Sequence, residues 1–378
     1  MSLIRFLIIL LIFIALNYYL YLRGRQALPD TATLHSFYTI IFLIVSLSVF
    51  IGIFAGGKLP LWLALVVEQV GGYWAILFVF FIAAALLGDL LRVTNHFFGF
   101  FPARVTANYP QAKLLYFFTV LVLLGIMSFV GFKQHTRTRV VKLDLSAGSD
   151  TLTSGNFTIV AASDIHLGNI IRKGRLIKWV ELINSQKPDI ILLAGDIFDH
   201  SYRAVEAQQM GRELARLNAT YGVYAIPGNH DYYTGIEKAL DYMERYRIKV
   251  LRDQAVTIGN SIIVIGRDDL TNKNRKQLET LMAGLNSNLP IVVLDHQPLS
   301  FDESVKNQVD LHLSGHTHNG QLFPFNRIVS RIYKLGYGYL KTGNTHIYVS
   351  SGMGLWGAPI RLGTQSEIVK IRLKTGEN

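Results

Sequence analysis

The chain has 378 residues, a net charge of +11 and no cysteine. Without thiols there can be no disulfide, no cysteine-based metal site and no thiol nucleophile, so any metal must be held by His, Asp, Glu or Asn. Half of the residues are hydrophobic, which is high for a soluble protein. The only acidic residues before position 137 are Asp30, Glu68 and Asp89. We therefore expect the first third in a membrane and the rest as a globular domain.

Four apolar stretches in the first third have the length that crosses the hydrocarbon of a bilayer. We predict transmembrane helices over about 3–22, 36–55, 73–91 and 114–132. The membrane region then spans 1–132. The first stretch lacks a small-residue cleavage site, so we interpret it as a retained helix and not as a signal peptide. Residues 61–70 are also apolar and either lie at the interface or extend the third helix.

We expect the excess of basic residues to fix the membrane topology or to contact anionic lipid, because the sequence contains no recognised nucleic-acid-binding motif. No nucleic-acid partner is expected. With four spans, the N-terminus and the C-terminal domain share one side of the cell membrane. A slight excess of Lys and Arg on that side predicts that the domain is cytoplasmic. Near the membrane edges, Asp89 and Arg92 are spaced to pair one helical turn apart, which favours anchoring over an ion path.

The remainder is predicted to be an α/β domain at 157–378, joined by a polar linker at 133–156 that contains an edge strand near residue 140. The predicted strands are 157–162, 189–194, 222–226, 255–258, 261–265, 291–294, 311–314, 347–350 and 368–373. The predicted helices are 173–185, 204–217, 236–246 and 274–285. Alternating strands and helices followed by many strands indicate two stacked sheets flanked by helices.

Polar side chains of metal-ligand type follow five of these predicted strands. The segments are Ser163-Asp164-Ile165-His166, Gly195-Asp196-Ile197-Phe198-Asp199, Gly228-Asn229-His230-Asp231, Asp295-His296 and Gly315-His316-Thr317-His318. Ligands of layered α/β folds bind at the carboxyl ends of strands, so these groups are expected to converge. Asp164 and His166 are separated by one residue, and so are His316 and His318. We therefore expect the two side chains of each pair on the same side of an extended segment. A single such motif is more often structural, but all five in this order favour a site for two metal ions, with carboxylate and imidazole ligands.

This set of motifs resembles the calcineurin-like metallophosphoesterases over about 157 to the C-terminus. The resemblance implies a four-layer α/β/β/α sandwich, here preceded by four transmembrane helices. The sequence around 315–321 and the segment 350–368 are similar to a bacterial, membrane-associated or exported subgroup, which more often has Gly-Gly-Gln where this chain has Asn319-Gly320-Gln321. The Ser/Thr phosphatases of the superfamily carry Arg where this chain has His200, which disfavours phosphoprotein phosphatase activity.

The resemblance implies a role for each motif residue. The first of two divalent metal ions (Mn, Fe or Zn) would be held by Asp164, His166 and His318. The second would be held by Asn229, His296 and His316. Asp196 would bridge the two ions, His230 would act on the substrate oxygens, and Asp199 would orient His230. A metal-bound hydroxide would attack phosphorus in line. Asp231 would contact the ligands and not the metal ions themselves.

The expected activity is hydrolysis of a phosphate ester or pyrophosphate bond, most simply by a phosphodiesterase acting on a membrane-associated or lipid-linked substrate such as a UDP-diacylglucosamine-like pyrophosphate. Two alternatives stay open: a tethered phosphodiesterase with a soluble substrate, and a non-catalytic membrane sensing or binding module. Segments 169–178 and 322–339 mix apolar and basic residues. They either face lipid beside the metal site or pack as ordinary loops. His135, His312 and His346 are interpreted as structural.

Overall fold

A computed structural model describes residues 3–147, 155–199, 202–285 and 288–375. The chain divides into two compact units, Met1–Val130 and Gly131–Asn378. The first unit consists of helices, and the strands of the described residues all lie in the second. Each unit is built by a different sequence pattern, so we take them in turn.

Long apolar helices make up the first unit. They are α1 (Leu3–Ala27), α2 (Ala32–Ala55), α3 (Leu61–Phe98), the short α4 (Ala103–Ala107) and α5 (Tyr109–Thr136), whose last turns belong to the second unit. Among the described residues, α1, α2, α3 and α5 are long and apolar enough to cross a membrane. The apolar residues 61–70 extend the third helix. That helix ends where Gly99 adopts a φ of 60° and its N–H bonds Asn95 O.

Small and polar residues set the contacts between these helices. A Cβ at Gly71 would lie 3.0 Å from Ser48 O, so α2 and α3 approach closely at a residue without a side chain. Asp89 on α3 pairs with Arg23 on α1 at 2.6 Å. The pairing with Arg92, one turn away, that the sequence suggested is thus replaced by a contact between helices. Buried and interhelical polar contacts of this kind fix the rotation of each helix in an apolar setting.

The second unit contains two six-stranded sheets. Its elements in chain order are β1 (Thr138–Ser146), β2 (Gly155–Ala162), α6 (Lys173–Ser185), β3 (Ile190–Ala194), α7 (Tyr202–Ala207), α8 (Met210–Leu214), β4 (Val223–Ile226), α9 (Asn229–Arg245), β5 (Ile248–Val250), β6 (Gln254–Ile258), β7 (Ile262–Gly266), α10 (Leu278–Met282), β8 (Ile291–Leu294), α11 (Phe301–Lys306), β9 (Leu311–Ser314), α12 (Phe325–Ile332), β10 (Gly338–Thr342), β11 (Thr345–Val349) and β12 (Ser366–Thr375).

Strand order is β1-β12-β2-β3-β4-β5 in the first sheet and β10-β11-β9-β8-β7-β6 in the second. Strands β2 to β5 run parallel to one another, as do β7, β8, β9 and β11. Central strands such as β3 and β8 are buried at every position, which explains their continuous apolar sequences. Parallel neighbours bring their carboxyl ends to one edge of each sheet, and the loops at that edge carry the polar motifs.

The two sheets face each other across an apolar core that contains Ile159, Leu192, Val264 and Leu294. A second core, which includes Trp179 from α6, packs helices α6 to α9 on the outer face of the first sheet. Smaller clusters pack α10 and α11 on the outer face of the second sheet. The four-layer α/β/β/α arrangement expected from the resemblance is confirmed.

Several element boundaries differ from the sequence-based expectation. Within the segment 133–156, the predicted edge strand is β1, which pairs with β12 along Thr138–Ser146 at one edge of its sheet, but α5 continues to Thr136; residues 148–154 lie outside the described part. The single helix expected over 204–217 is two short helices, since Gln209 adopts a left-handed φ of 52° between them. Helix α10 is shorter than expected, and β5, β10, α11 and α12 were not expected.

Candidate metal centre

The predicted site residues lie directly after strands of both sheets. Strand β2 is followed by Asp164 and His166, β3 by Asp196 and Asp199, β4 by Asn229 and His230, β8 by His296, and β9 by His316 and His318. The first three strands belong to one sheet and the last two to the other. The site is therefore assembled where the loop edges of two sheets meet, and neither sheet alone supplies it.

Asp164, His166 and His318, here called group A, form one cluster of ligand-type atoms. The three atoms lie within 4.8 Å of one another. The two histidines face each other with 3.2 Å between their Nε2 atoms, and His318 Nε2 lies 3.5 Å from Asp164 Oδ1. All three side chains are buried. Two imidazole nitrogens and a carboxylate oxygen directed at one point have the composition of a divalent metal site.

Asp196, His296 and His316, here called group B, form a second cluster whose ligand-type atoms also lie within 4.8 Å of one another. His296 Nε2 is 3.1 Å from Asp196 Oδ2. The other ring nitrogen of His296 bonds Ala194 O at 2.8 Å. This hydrogen bond requires a proton on Nδ1, so a metal that displaces the proton of Nε2 would meet a lone pair directed at the cluster, as in histidines that bind metals.

Asp196 lies between the two groups. Its Oδ2 atom is 3.6 Å from His166 Nε2 of group A and 3.1 Å from His296 Nε2 of group B. Its Oδ1 atom accepts a hydrogen bond from the backbone N–H of His230. Asn229 is buried, and within the described residues its Oδ1 atom accepts no hydrogen bond. An orphaned buried carbonyl oxygen is costly, and a cation would satisfy it. The donor set therefore fits two metal ions.

His230 and Asp199 lie beside these groups at a more accessible position. His230 Nδ1 is 3.2 Å from Asp199 Oδ1, and both side chains are 16% exposed. The same Asp199 atom lies 3.6 Å from His166 Nδ1. His230 is thus oriented by a carboxylate and reaches solvent, while the ligand-type residues of group A are buried. This geometry suits a side chain that contacts a substrate.

Five of the predicted ligands have left-handed backbone torsions. Their φ values are 53° at Asp164, 51° at His166, 53° at Asp196, 72° at His316 and 49° at His318. The sequence predicted that the pairs Asp164/His166 and His316/His318 project from extended segments. That prediction is wrong, because β2 and β9 end before these residues. The side chains converge through left-handed turns instead. Such torsions cost on the order of 1–3 kcal/mol each and persist where the surrounding structure enforces them, as at functional sites.

Close backbone approach explains two of the motif glycines. A Cβ on Gly228 would collide with the Asp196 carboxylate, and one on Gly315 would collide with Asp164 Oδ2. The backbone N–H of His316, next to Gly315, donates to the Asp164 carboxylate at 2.9 Å. Glycine at these positions lets the loops from different strands pack directly on the two carboxylates.

Each group contains one histidine with a raised pKa, His166 or His296, and one with a lowered pKa, His318 or His316. Burial lowers the pKa of His296, but the neighbouring Asp196 carboxylate outweighs it and holds that pKa well above its ordinary value. At His318, burial is reinforced by His166 and Arg361, so the pKa lies well below its ordinary value. His318 is therefore neutral, which is the form of imidazole that binds a metal. Burial also raises the pKa of Asp196, yet His296 and His166 lower it further than burial raises it.

Two further residues, Arg361 and Asp231, lie behind the site. The sequence alone assigned no role to Arg361. Arg361 is fully buried, donates to Ser351 O at 2.8 Å and Gly352 O at 3.2 Å, and lies 3.5 Å from His318 Nδ1. The sequence feature that could have identified Arg361 is its occurrence as a single Arg in the glycine-rich segment 350–363. Asp231, expected behind the ligands, accepts backbone hydrogen bonds from Gly228 at 2.8 Å and Phe198 at 3.1 Å.

The remaining histidines are engaged in structural contacts. His312 is fully buried in β9, with its ring nitrogens 2.7 Å from Ser304 Oγ and 3.0 Å from Ser314 Oγ. His346 lies 2.7 Å from the Tyr339 hydroxyl, and His135 is buried at the end of α5. His200, where the Ser/Thr phosphatases carry Arg, lies outside the described residues.

Comparison with known proteins identifies the family. The calcineurin-like phosphoesterase family matches residues 157–320. A metallophosphoesterase of Helicobacter pylori is 35% identical over 57% of this chain and 59% of its own length. One from Aquifex aeolicus is 32% identical over 68% of this chain and 98% of its own length. A zebrafish (Danio rerio) transmembrane protein with a metallophosphoesterase domain is 27% identical over 83% of this chain and 74% of its own length. The chain belongs to the calcineurin-like metallophosphoesterase family.

Proposed function

We propose that the chain hydrolyses phosphate ester or pyrophosphate bonds with two divalent metal ions, one held by group A and one by group B, and that its substrate is borne by a membrane. The position of Asp196 carries this proposal, since its carboxylate lies within 3.6 Å of a histidine nitrogen from each group. When bound, such ions activate water and stabilise the negative charge that develops on a phosphoryl group. Asn229 would complete group B.

His230 is the residue proposed to contact the substrate. Its Nδ1 atom lies 3.2 Å from Asp199 Oδ1, and its Nε2 atom would donate a hydrogen bond to a phosphoryl or leaving-group oxygen. In its protonated form the ring would stabilise added charge and deliver a proton to the departing oxygen.

Membrane segments support the choice of substrate. Four described helices have the length and hydropathy to span a bilayer, and a relative is a transmembrane protein with the same domain. Such an anchor restricts the enzyme to substrates that reach the bilayer surface. A lipid-linked phosphodiester or pyrophosphate is the substrate class we propose, with a UDP-diacylglucosamine-like compound as a concrete example.

Hydrolysis of a chromogenic phosphodiester and monoester by the purified full-length protein tests the proposal. Mn²⁺, Zn²⁺ and Mg²⁺ are added in turn, and bound metal is measured by elemental analysis. Asp196→Asn should abolish hydrolysis and reduce bound metal. Asp144→Asn is the matched control, because Asp144 is 64% exposed and pairs only at 4.0 Å with Arg372. Two bound ions together with activity lost in Asp196→Asn are the expected result.

Other outcomes have distinct meanings. No bound metal and no hydrolysis would overturn the proposal and favour a sensing or binding module. Equal hydrolysis of soluble and bilayer-embedded esters would overturn the choice of a lipid-linked substrate and favour a tethered enzyme for soluble esters.

A cytoplasmic position of the domain is proposed from the distribution of basic residues. Because the chain lacks cysteine, a thiol introduced at the exposed Lys306 would be unique. In intact cells this thiol should resist a membrane-impermeant maleimide and react after lysis. Labelling of intact cells would place the domain on the other side.

A further inference from the structure

A cluster of exposed apolar and basic side chains lies on the loops that follow the last metal-site motif. It comprises Phe323, Ile328, Ile332 and Trp356 together with Arg327 and Arg331, and is here called the interface patch. The apolar members are 52%, 49%, 66% and 55% exposed, respectively. A single exposed apolar residue needs no explanation, but several on adjoining loops indicate a contact surface.

Helix α12 arranges part of the interface patch in stripes. Ile328 and Ile332 are four residues apart and both exposed, and so are Arg327 and Arg331. Side chains at this spacing are neighbours on a helix surface. The opposite side faces the domain, where a Cβ on Gly336 would meet the Val329 side chain. An apolar stripe beside a basic stripe on an exposed helix matches helices that lie in a membrane interface.

The interface patch adjoins the metal centre at both ends of α12. Before the helix, Gln321 N–H donates to His318 O at 2.9 Å. After it, the Tyr333 ring lies 6.5 Å from the ring of His316. A surface to which α12 docks would therefore present its phosphate groups beside groups A and B.

The interface patch also rests on the loop that holds the end of a membrane-spanning helix. Gln321 donates to Trp356 O at 3.1 Å, and Phe323 N–H donates to Leu362 O at 2.8 Å. In that loop, Arg361 N–H donates to Gly131 O of α5 at 3.1 Å. The last turns of α5, which belong to the second unit, are thus bonded to the loop that carries Trp356.

We propose that the interface patch inserts into the headgroup region of an anionic phospholipid bilayer and delivers lipid-borne phosphate to the metal centre. The delivery role rests on the proposed function, whereas membrane contact by the patch does not. Apolar side chains enter the acyl boundary, while Arg327 and Arg331 bind lipid phosphates. Arg327, which lies 5.6 Å from the Phe323 ring centroid, places its charge and an aromatic ring together at the headgroup level.

Site-directed spin labelling tests the contact, since every introduced thiol is unique in a chain without cysteine. Ile328→Cys and Ile332→Cys are labelled in the full-length protein in nanodiscs of phosphatidylglycerol or of phosphatidylcholine. Glu279→Cys is the matched control, on an exposed helix of the same domain. We expect labels at 328 and 332 to be more accessible to oxygen than to a nickel chelate, most strongly in phosphatidylglycerol, and the reverse at 279.

Water-like accessibility at all three positions in both lipids would overturn the proposal. Dipolar broadening between labels on different molecules, in place of oxygen accessibility, would show that a second copy covers the patch and would overturn it as well.

The delivery role is tested by comparing two substrates. A p-nitrophenyl phosphodiester of diacylglycerol in the nanodisc is compared with a water-soluble p-nitrophenyl phosphodiester. Replacing Ile328 and Ile332 together by Glu should reduce the ratio of bilayer to soluble hydrolysis at least tenfold, and the Leu double variant should keep it. An unchanged ratio would overturn delivery. Failure of every variant to hydrolyse either ester would overturn the proposed function, while the accessibility result would still decide membrane contact.

Discussion

Groups A and B are assembled from the same two sheets but are supported in different ways. In group B, His296 is held by Ala194 O at 2.8 Å, a carbonyl at the end of β3 in the other sheet. In group A, His318 is backed by the Arg361 guanidinium at 3.5 Å, from a residue 43 positions later in the chain. Group B is therefore supported by a backbone carbonyl of the facing sheet, whereas group A also depends on closure of the loop that carries Arg361.

In proton chemistry the two groups are alike. Each contains one histidine with a raised pKa, His166 in group A and His296 in group B, because neighbouring carboxylates outweigh the effect of burial. Each also contains one histidine with a lowered pKa, His318 in group A and His316 in group B, mainly because of burial. Metal affinity depends on pH where ligands must be deprotonated. Acidification from pH 8 to pH 6 should thus remove metal from both groups together, measured as bound metal by elemental analysis.

The largest effects should come from removing one histidine of each group. His296→Ala and His318→Ala should each lose about one of two bound ions and lower turnover by more than about 100-fold, since even partners behind the ligands are worth about 10–100-fold. Elemental analysis and the chromogenic ester assay measure both quantities. His346→Ala, which alters a hydrogen bond to Tyr339, is the control. Retention of two ions in either ligand variant would contradict the assignment of that group.

His230→Ala should separate metal binding from catalysis. Because His230 is placed on the substrate side, the variant should keep both ions and lose about 10²–10⁴-fold in kcat, the usual range for a general acid. Asp199→Asn should lose less, since an amide at the position of the carboxylate, now 3.2 Å from His230 Nδ1, can still orient the ring. Loss of metal from His230→Ala would identify the residue as a ligand instead.

Much of the fold follows from local sequence patterns. Strands at 291–294 and 311–314 and the helix at 173–185 have the bounds that the sequence predicted, because buried β-branched runs and amphipathic spacing are strong local patterns. The residues that converge were also identifiable, since strand ends meet at one edge of each sheet. Helix α12 was missed because its apolar residues face outward, so it lacks the inward stripe that marks a packed helix.

The conformation of the site could not be derived in this way. Alternation along a strand predicted that Asp164 and His166 share a side, yet both residues adopt left-handed torsions after the strand has ended. Such torsions are enforced by tertiary contacts, including the packing of Gly315 on Asp164. The position of Arg361 likewise depends on a loop that closes over a distant ligand, which no local pattern encodes.

Arg361 provides a direct test of the unequal support of the two groups. Arg361→Lys keeps the charge but not the fork of donors that reaches Ser351 O and Gly352 O. We expect metal affinity to fall about 10–100-fold at group A, with group B unchanged, in a titration that resolves two sites. Arg252→Lys, a partly exposed ion-pair residue, is the control. An equal loss at both groups would indicate a general effect on folding.

The smallest expected effect concerns Asp231, which supports the loops that carry Asp196 and Asn229. Burial and the nearby Asp196 raise its pKa from 3.8 to about 6, despite backbone hydrogen bonds from Gly228 and Phe198. A raised folded-state pKa means that the protonated carboxyl favours folding: this stabilisation is fully present below pH 3.8 and is lost as pH rises through 6.

Asp231→Asn cannot titrate, so in metal-free protein the stability of the native chain relative to the variant should fall between pH 4 and pH 6. The change should be on the order of 2 kcal/mol, and other titrating groups cancel in the comparison. Thermal unfolding of both proteins in one detergent, with chelator present, measures it. A difference independent of pH would mean that Asp231 remains ionised throughout, with its backbone donors outweighing burial. In that case Asp231 and Asp196 would both be charged in the metal-free site, and the metal ions would be needed to relieve their repulsion.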